Sequence, residues 1–278
     1  MATKPVIVGA DGSRESQRAV GWAAREAVLR TATLSIVAVP VLPPRMTATP
    51  AVPGTVSYQI EQSMSQALAG AEQLAAAQQP GLAIETHLVA GAPAEVLSGA
   101  AQNATLVVLG SRGAGGFTAM ILGSVSRYVA THAPVPVVVV REETTAADRE
   151  IVVGVRDPAQ SEAVLEFGFG EAALHRARLL AVHAWSSSVP GHTEASAEQI
   201  SRLEGAVTAW QEKFPEVEAR CEVVHAHPGR MLVGLSARAD LVVLGRHGPG
   251  EPRGLGVGSV THAVLSHAHG PVVSVPGD

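Results

Sequence analysis

Short apolar runs alternate with longer helix-type patterns along the first half of this chain. The run Val6-Ile-Val-Gly9 stops at Asp11-Gly12, and apolar residues recur at helical spacing from Ala19 to Arg30. Further strands are predicted at Leu34–Val39, Ile84–Val89, Leu106–Leu109 and Val135–Arg141, with helical patterns at about Tyr58–Gln78 and Ala94–Gln102. Strands that are apolar on both faces and alternate with helices predict a parallel sheet that is covered on each side.

The second half of the chain repeats the same order of elements. Gly9 matches Gly154, and Glu26 to Arg30 is echoed by Glu171 to His175 at the same offset. The offset then shrinks by about ten residues because the first copy carries a longer proline-rich loop, Pro40 to Pro53. Later elements of the second copy are predicted at Leu179–Ala184, Ala195–Lys213, Glu218–Val224, Met231–Ala237, Leu241–Gly245 and Pro271–Val275. The fold class predicted is therefore α/β, with two tandem five-stranded parallel-sheet domains, 1–142 and 149–278, that carry helices on both faces.

Composition narrows the class of function. Hydrophobic residues make up 46% and charged residues 16% of the 278 residues, which favours folded domains over disorder. A net charge of −5 and only 3% aromatic residues argue against nucleic acid as a partner. No apolar run approaches the length that spans a bilayer, and a single cysteine, Cys221, suits a reducing compartment. We expect no signal peptide, no membrane partner and a cytoplasmic location.

A spaced glycine motif, G-x-x-G-x9-G-S, follows the fourth strand of each copy. It is formed by Gly110, Gly113, Gly123 and Ser124 in the first copy and by Gly245, Gly248, Gly258 and Ser259 in the second. A buried strand that ends in glycines and leads into a helix start is where parallel α/β sheets bind phosphates. Glycine is expected here because it takes positive φ and lets backbone N–H groups approach an anion. A plain strand–turn–helix in which Ser124 is an N-cap remains the alternative.

Three features together resemble the universal stress protein family. They are the sequence Val-Gly-x-Asp11 at the end of the first strand, the glycine motif, and the final strand Pro-Val-Val-Val-Val140. The resemblance covers the whole chain as two tandem copies. It implies an adenine-nucleotide α-hydrolase-like (Rossmann-like) fold, ATP as the ligand with magnesium as an option, and a homodimer of tandem chains. It implies weak ATPase activity at most, and it identifies neither catalytic residues nor protein-held metal ligands.

The residues expected to contact the nucleotide come from both copies. By the resemblance, Asp11 contacts the nucleoside, and backbone groups near Val39 and Ala184 read the adenine edge. In the first copy the predicted residues are Gly9, Asp11, Val39, Gly110, Ser111, Arg112, Gly113, Gly116, Gly123, Ser124 and Val125. In the second copy they are Gly154, Ala184, Gly245, Arg246, Gly248, Gly258, Ser259 and Val260. The alternative for Asp11 is a purely structural role in an Asp-Gly turn.

Neither loop has the Lys-Ser/Thr pair with which a P-loop grips terminal phosphates and magnesium. Arg112 is the nearest cation in the first copy, so charge neutralisation is partial and holding a nucleotide is favoured over hydrolysing it. The second copy has Arg156 opposite Asp11, so we expect weaker or altered binding there. We also expect Asp11→Ala or Gly110→Val to abolish binding in the first copy while the fold survives.

The main functional prediction is an ATP-binding regulatory protein of the stress response. Two alternatives stay open at this stage. One is a slow ATPase or phosphotransferase on the same fold, and the other is an interaction scaffold that binds no nucleotide. The sequence identifies neither the inducing stress nor the protein partner.

Overall fold

The structure is a computed structural model that describes residues 3–41, 53–113, 122–142, 149–186, 197–246 and 256–277. The chain divides into two compact units, Met1–Val140 and Arg141–Asp278. Each unit is an α/β domain with a five-stranded parallel sheet, which confirms the fold class predicted from the sequence. None of the helices in the described ranges is both long enough and apolar enough to cross a bilayer.

In the first unit the strands lie in the order β3-β2-β1-β4-β5. The chain runs outward from β1 to β3 and then returns to place β4 on the other side of β1. The elements are β1 (Val6–Gly9), α1 (Arg14–Leu29), β2 (Leu34–Ala38), α2 (Pro53–Gln78), β3 (Ile84–Leu88), α3 (Pro93–Ala100), β4 (Leu106–Gly110), α4 (Ser124–His132) and β5 (Val137–Val140). This change of direction opens a crevice at the carboxyl ends of β1 and β4, where open α/β sheets bind ligands.

The second unit repeats the arrangement, with the order β8-β7-β6-β9-β10 and parallel pairing throughout. Its elements are β6 (Glu150–Gly154), α5 (Glu162–His175), β7 (Arg178–Trp185), α6 (Ala197–Lys213), β8 (Ala219–His225), α7 (Pro228–Leu235), β9 (Leu241–Gly245), α8 (Ser259–His267) and β10 (Val272–Val275).

The helices pack in pairs that cover the sheets. In the first unit α1 packs with α2, and α3 packs with α4; α5 with α6 and α7 with α8 are the corresponding pairs of the second unit. Almost every residue of β1, β2, β4 and β5 is buried, as expected for a sheet covered on both faces. The core is mainly Val, Leu and Ala, with Phe169 stacked on Trp210 as the main aromatic contact of the second unit.

Several helices begin earlier than the apolar spacing predicts. Helix α1 begins at Arg14 and not at Ala19, because the Ser13 hydroxyl accepts a hydrogen bond from the Ser16 amide and caps the first turn. Helix α7 begins at Pro228 and not at Met231, since proline at the first helical position needs no hydrogen-bond partner for its nitrogen. The residues that mark these two helix starts, Ser13 and Pro228, lie outside the apolar stripes from which the helices were predicted.

Candidate functional site

A cavity of about 690 Å³ lies at the carboxyl ends of β1, β2 and β4 in the first unit. Its size falls within the range of small-molecule sites. Nine residues predicted from the sequence line it: Gly9, Asp11, Val39, Gly110, Arg112, Gly113, Gly123, Ser124 and Val125. Gly116 and Gly248 lie outside the described residues. The fold thus brings the end of the first strand, the end of the second strand and the glycine loop to one crevice.

One wall of this cavity is apolar. It is built from Val37 and Val39 on or just after β2, Ile60 and Met64 on α2, and Leu97 on α3, with Val41 and Pro93 beside them. Except for Val39, these residues were missed by the sequence-based prediction. Ile60 and Met64 are spaced four apart and therefore share one face of their helix, which was the available signal. A planar, weakly polar group is the chemistry that such a wall accommodates.

Asp11 is one of the polar groups that line the same cavity. One oxygen of its carboxylate, Oδ1, accepts hydrogen bonds from the Ser13 amide (3.0 Å) and the Ser13 hydroxyl (2.6 Å). The other oxygen, Oδ2, lies against the glycine loop: a Cβ added to Gly113 would be 2.6 Å from it. Asp11 therefore stabilises the turn with one oxygen while it lines the cavity, so the structural and ligand-binding interpretations are compatible.

Gly110 is required for helix packing. A Cβ at this position would lie 2.7 Å from the carbonyl carbon of Glu15 and 2.9 Å from both the Glu15 oxygen and the Ser16 nitrogen. These are backbone atoms of the first turn of α1, which cannot move aside as a side chain would. Gly110→Val is therefore expected to destabilise the packing of α1 on β4, so any loss of binding in this variant has a structural contribution.

The expected role of positive φ in the motif is also wrong. Among the described glycines, positive φ occurs at Gly12, Gly81, Gly91 and Gly256, and Gly123 has φ −65°. Gly110 lies within β4, and its missing side chain serves close approach rather than unusual backbone geometry.

Two of the amides expected to face a phosphate are used within the fold. The Ser111 amide donates to the Val140 carbonyl (2.9 Å), and the Gly123 amide donates to the Ser111 carbonyl (2.8 Å). The first helical bond of α4 runs from the Arg127 amide to the Gly123 carbonyl. The amides of Ser124 and Val125 precede that bond, so they have no carbonyl within the helix to donate to. These amides and the positive end of the helix dipole form the kind of helix start at which anions bind in proteins.

Arg112 contributes the positive charge of the cavity wall. Its guanidinium Nη2 donates to Glu15 Oε1 at 2.9 Å, with side-chain exposures of 43% for Arg112 and 20% for Glu15. Among the described residues that line the cavity, Arg112 is the cationic one and Asp11 the anionic one. Glu15 was not among the residues predicted from the sequence. It lies on the first turn of α1, and only the fold brings it next to the loop.

The second unit builds the same turn from different side chains. The Gly258 amide donates to the Arg246 carbonyl (2.8 Å), as Gly123 does to Ser111, and the Arg246 amide donates to the Val275 carbonyl (2.8 Å). The Thr261 hydroxyl donates to the Gly245 carbonyl (2.7 Å), and Ser126 donates to Gly110 at the same distance. Gly245, Gly258, Ser259 and Val260 therefore hold the backbone positions predicted for them.

Two substitutions nevertheless change the chemistry of the second unit. Arg246 takes the place of Ser111 and is only 7% exposed, and this burial lowers the pKa of its guanidinium to about 10, so the group stays charged at neutral pH. Arg156, opposite Asp11, is exposed, while the Asp157 carboxylate accepts from the Ala159 amide (3.1 Å) and caps a short 3-10 turn. Asp157 thus makes the turn that Asp11 makes in the first unit, while the position that matches Asp11 holds Arg156.

The remaining predicted residues of the second unit lie at the ends of its strands. Gly154 ends β6 against Leu244 and Leu232, as Gly9 ends β1 against Leu109 and Leu97. Ala184 lies in β7 between His183, whose Nδ1 is 3.0 Å from the Val155 carbonyl, and Trp185, whose ring meets His225 edge-on. An imidazole and an indole group thus flank, along the strand, the position that matches Val39 of the first unit.

Comparison with known proteins assigns the family. A model described as the Universal stress protein family matches residues 2–141 and again 149–276. Universal stress protein Mb2028c of Mycobacterium bovis and universal stress protein Rv2005c of Mycobacterium tuberculosis are each 34% identical to this chain over 283 residues, covering 96% of this chain and 95% of the relative. A solved universal stress protein of Archaeoglobus fulgidus matches with a TM-score of 0.74 at 19% identity, covering 100% of this chain and 98% of that one. With both halves matched and the fold shared, this chain belongs to the universal stress protein family and is made of two such domains in tandem.

Proposed function

We propose that the first unit binds an adenine nucleotide, with ATP as the main ligand, and that occupancy of this site is a regulatory signal. The observation that carries the proposal is a cavity whose lining combines an apolar cluster with the start of α4, Arg112 and Asp11. A purine fits the aliphatic wall, a ribose hydroxyl fits the Asp11 carboxylate, and phosphates fit the free amides of the helix start.

The residues present suit retention of the nucleotide more than its hydrolysis. No lysine lies among the described residues that line the cavity, and a single guanidinium neutralises only part of a triphosphate. Asp11 offers carboxylate oxygen, which magnesium prefers, so magnesium would enter with the nucleotide at this end of the site. When bound, it would supply charge neutralisation that the protein itself lacks.

The packing of the loop against helix α1 supports the proposed regulatory role. Gly110 contacts the backbone of Glu15, and Gly113 lies against the Asp11 carboxylate, so the ligand loop and the first turn of α1 share a tightly packed contact. A ligand that reorders this loop therefore acts on the position of α1. We propose that partners read this change.

Isothermal titration of the full chain with ATP, in the presence and absence of magnesium, tests the proposal. We expect saturable binding in the micromolar range, equivalent to about −8 kcal/mol at 1 μM. The protein should also be purified without added ligand, denatured and analysed for released adenine nucleotide. Neither titration heat nor released nucleotide would leave the nucleotide-free scaffold as the better account. Steady release of phosphate would favour the slow ATPase.

A further inference from the structure

The guanidinium that faces the proposed phosphate end is already engaged by a carboxylate. Arg112 donates to Glu15 at 2.9 Å, and Glu15 is held in place because its backbone packs against Gly110, where no side chain intervenes. Arg112 lines the cavity, and the carboxylate of Glu15 lies against its guanidinium and offsets its charge. A ligand phosphate must compete with Glu15 for Arg112 and meets the Glu15 charge as it does so.

We infer that Glu15 is a specificity-determining residue that selects against ligand charge. Its carboxylate weakens binding in proportion to the number of phosphates, most for ATP, less for AMP and not at all for adenosine. This inference rests on the proposed nucleotide site and adds a discrimination that the cavity shape alone does not provide. Since the Arg112–Glu15 pair is partly exposed, its effect is modest and is screened by salt.

The second unit offers an internal comparison for this position. Gln160 stands where the first copy has Glu15, by the offset that relates Gly9 to Gly154, and its amide Nε2 donates to Asp157 Oδ2 at 3.1 Å. Gln160 lies in the short 3-10 turn that precedes α5, whereas Glu15 lies in the first turn of α1. Glutamine has the shape of glutamate without its charge, so Glu15→Gln makes no new steric demand on α1. The charge of Glu15 is thus separable from its packing.

The test is a titration of the wild-type full chain and Glu15→Gln with ATP, AMP and adenosine, at low and at high ionic strength. We expect Glu15→Gln to tighten ATP binding by about two- to fivefold at low salt, with a smaller gain at high salt. Adenosine binding should be unchanged. Glu72→Gln is the matched control, since it removes the same charge from an exposed site of α2 and should change none of the three affinities.

Arg112→Ala provides the second arm. If Glu15 acts through Arg112, the gain from Glu15→Gln should shrink in an Arg112→Ala background. Equal ATP affinity in wild type and Glu15→Gln, or an equal change for ATP and adenosine, would overturn the inference while leaving the nucleotide site intact. Failure of all three ligands to bind either protein would overturn both the inference and the proposed function.

Discussion

Replacing Gly110 with alanine separates the packing role of the glycine motif from a role in approaching phosphate. The added Cβ would lie 2.7 Å from the Glu15 carbonyl carbon, whereas carbon atoms in favourable contact are about 3.5–4.0 Å apart. The first turn of α1 must therefore retreat from β4 by several tenths of an ångström or more. Because the obstructing atoms are backbone, no change of rotamer relieves the contact.

Overpacking of this kind costs about 1–3 kcal/mol. For a unit the size of Met1–Val140, 1 kcal/mol lowers the melting temperature by about 2–4 °C, so a cost near 2 kcal/mol should lower it by about 4–8 °C. Differential scanning calorimetry of the full chain without nucleotide is the appropriate assay. Denaturant unfolding followed by tryptophan fluorescence gives an independent midpoint, since Trp22 is buried in α1.

Gly123→Ala is the matched control from the same motif. A Cβ there would meet its nearest atoms at 3.4–3.8 Å, and its φ of −65° and ψ of 149° suit alanine. The weaker N-cap preference of alanine is offset by the lower entropy of its unfolded chain, so stability should change by less than about 1 kcal/mol. If both variants melt like the wild type, or both lose equal stability, the assignment of Gly110 to helix packing is refuted.

Two further predictions address the carboxylate and the thiol. Asp11→Asn keeps the turn but removes the charge, and it should weaken ATP binding at least several-fold. Asp157 makes the corresponding turn in the second unit, and Asp157→Asn should leave ATP binding unchanged. Both variants are titrated with ATP, and equal affinities would assign Asp11 to the turn alone. Burial, and then the carboxylates of Glu204 and Glu222, raise the pKa of the Cys221 thiol, so its alkylation by iodoacetamide should accelerate at higher pH than in the unfolded chain. Coincident pH profiles would contradict that environment.

The fold was predictable from the sequence because its strands are buried on both faces and its copies are related by a nearly constant offset. The positions of helix starts were less accessible, since Ser13 and Pro228 lie outside the apolar stripe. In the first copy, the glycine motif lies at the crevice, where Gly110, Gly113 and Gly123 line the cavity. The reason for glycine at position 110 was not predicted. Its contact with Glu15 joins residues 95 positions apart, and no local sequence pattern reveals it.

The site residues that follow the ends of strands were predictable from the sequence. Those that lie on helices were not. Asp11 and Val39 follow buried strands, so their place at the sheet edge could be inferred. Met64 and Glu15 belong to helices whose rotation about their own axes depends on packing. The place of Met64 in the cavity lining and the pairing of Glu15 with Arg112 therefore required the structure. The burial of Arg246 likewise followed from the fold, since a loop arginine is ordinarily exposed.

Hydrogen–deuterium exchange of the full chain, with and without ATP, tests the central claim most directly because it locates the ligand. We predict slower exchange in the presence of ATP in peptides that cover Gly110–Gly113 and Gly123–Val125, since the helix-start amides then donate to phosphate. Peptides from the corresponding loop of the second unit should change less, given Arg246 and Arg156. Unchanged exchange in the first-unit loop under saturating ATP, or protection confined to the second unit, would contradict the account.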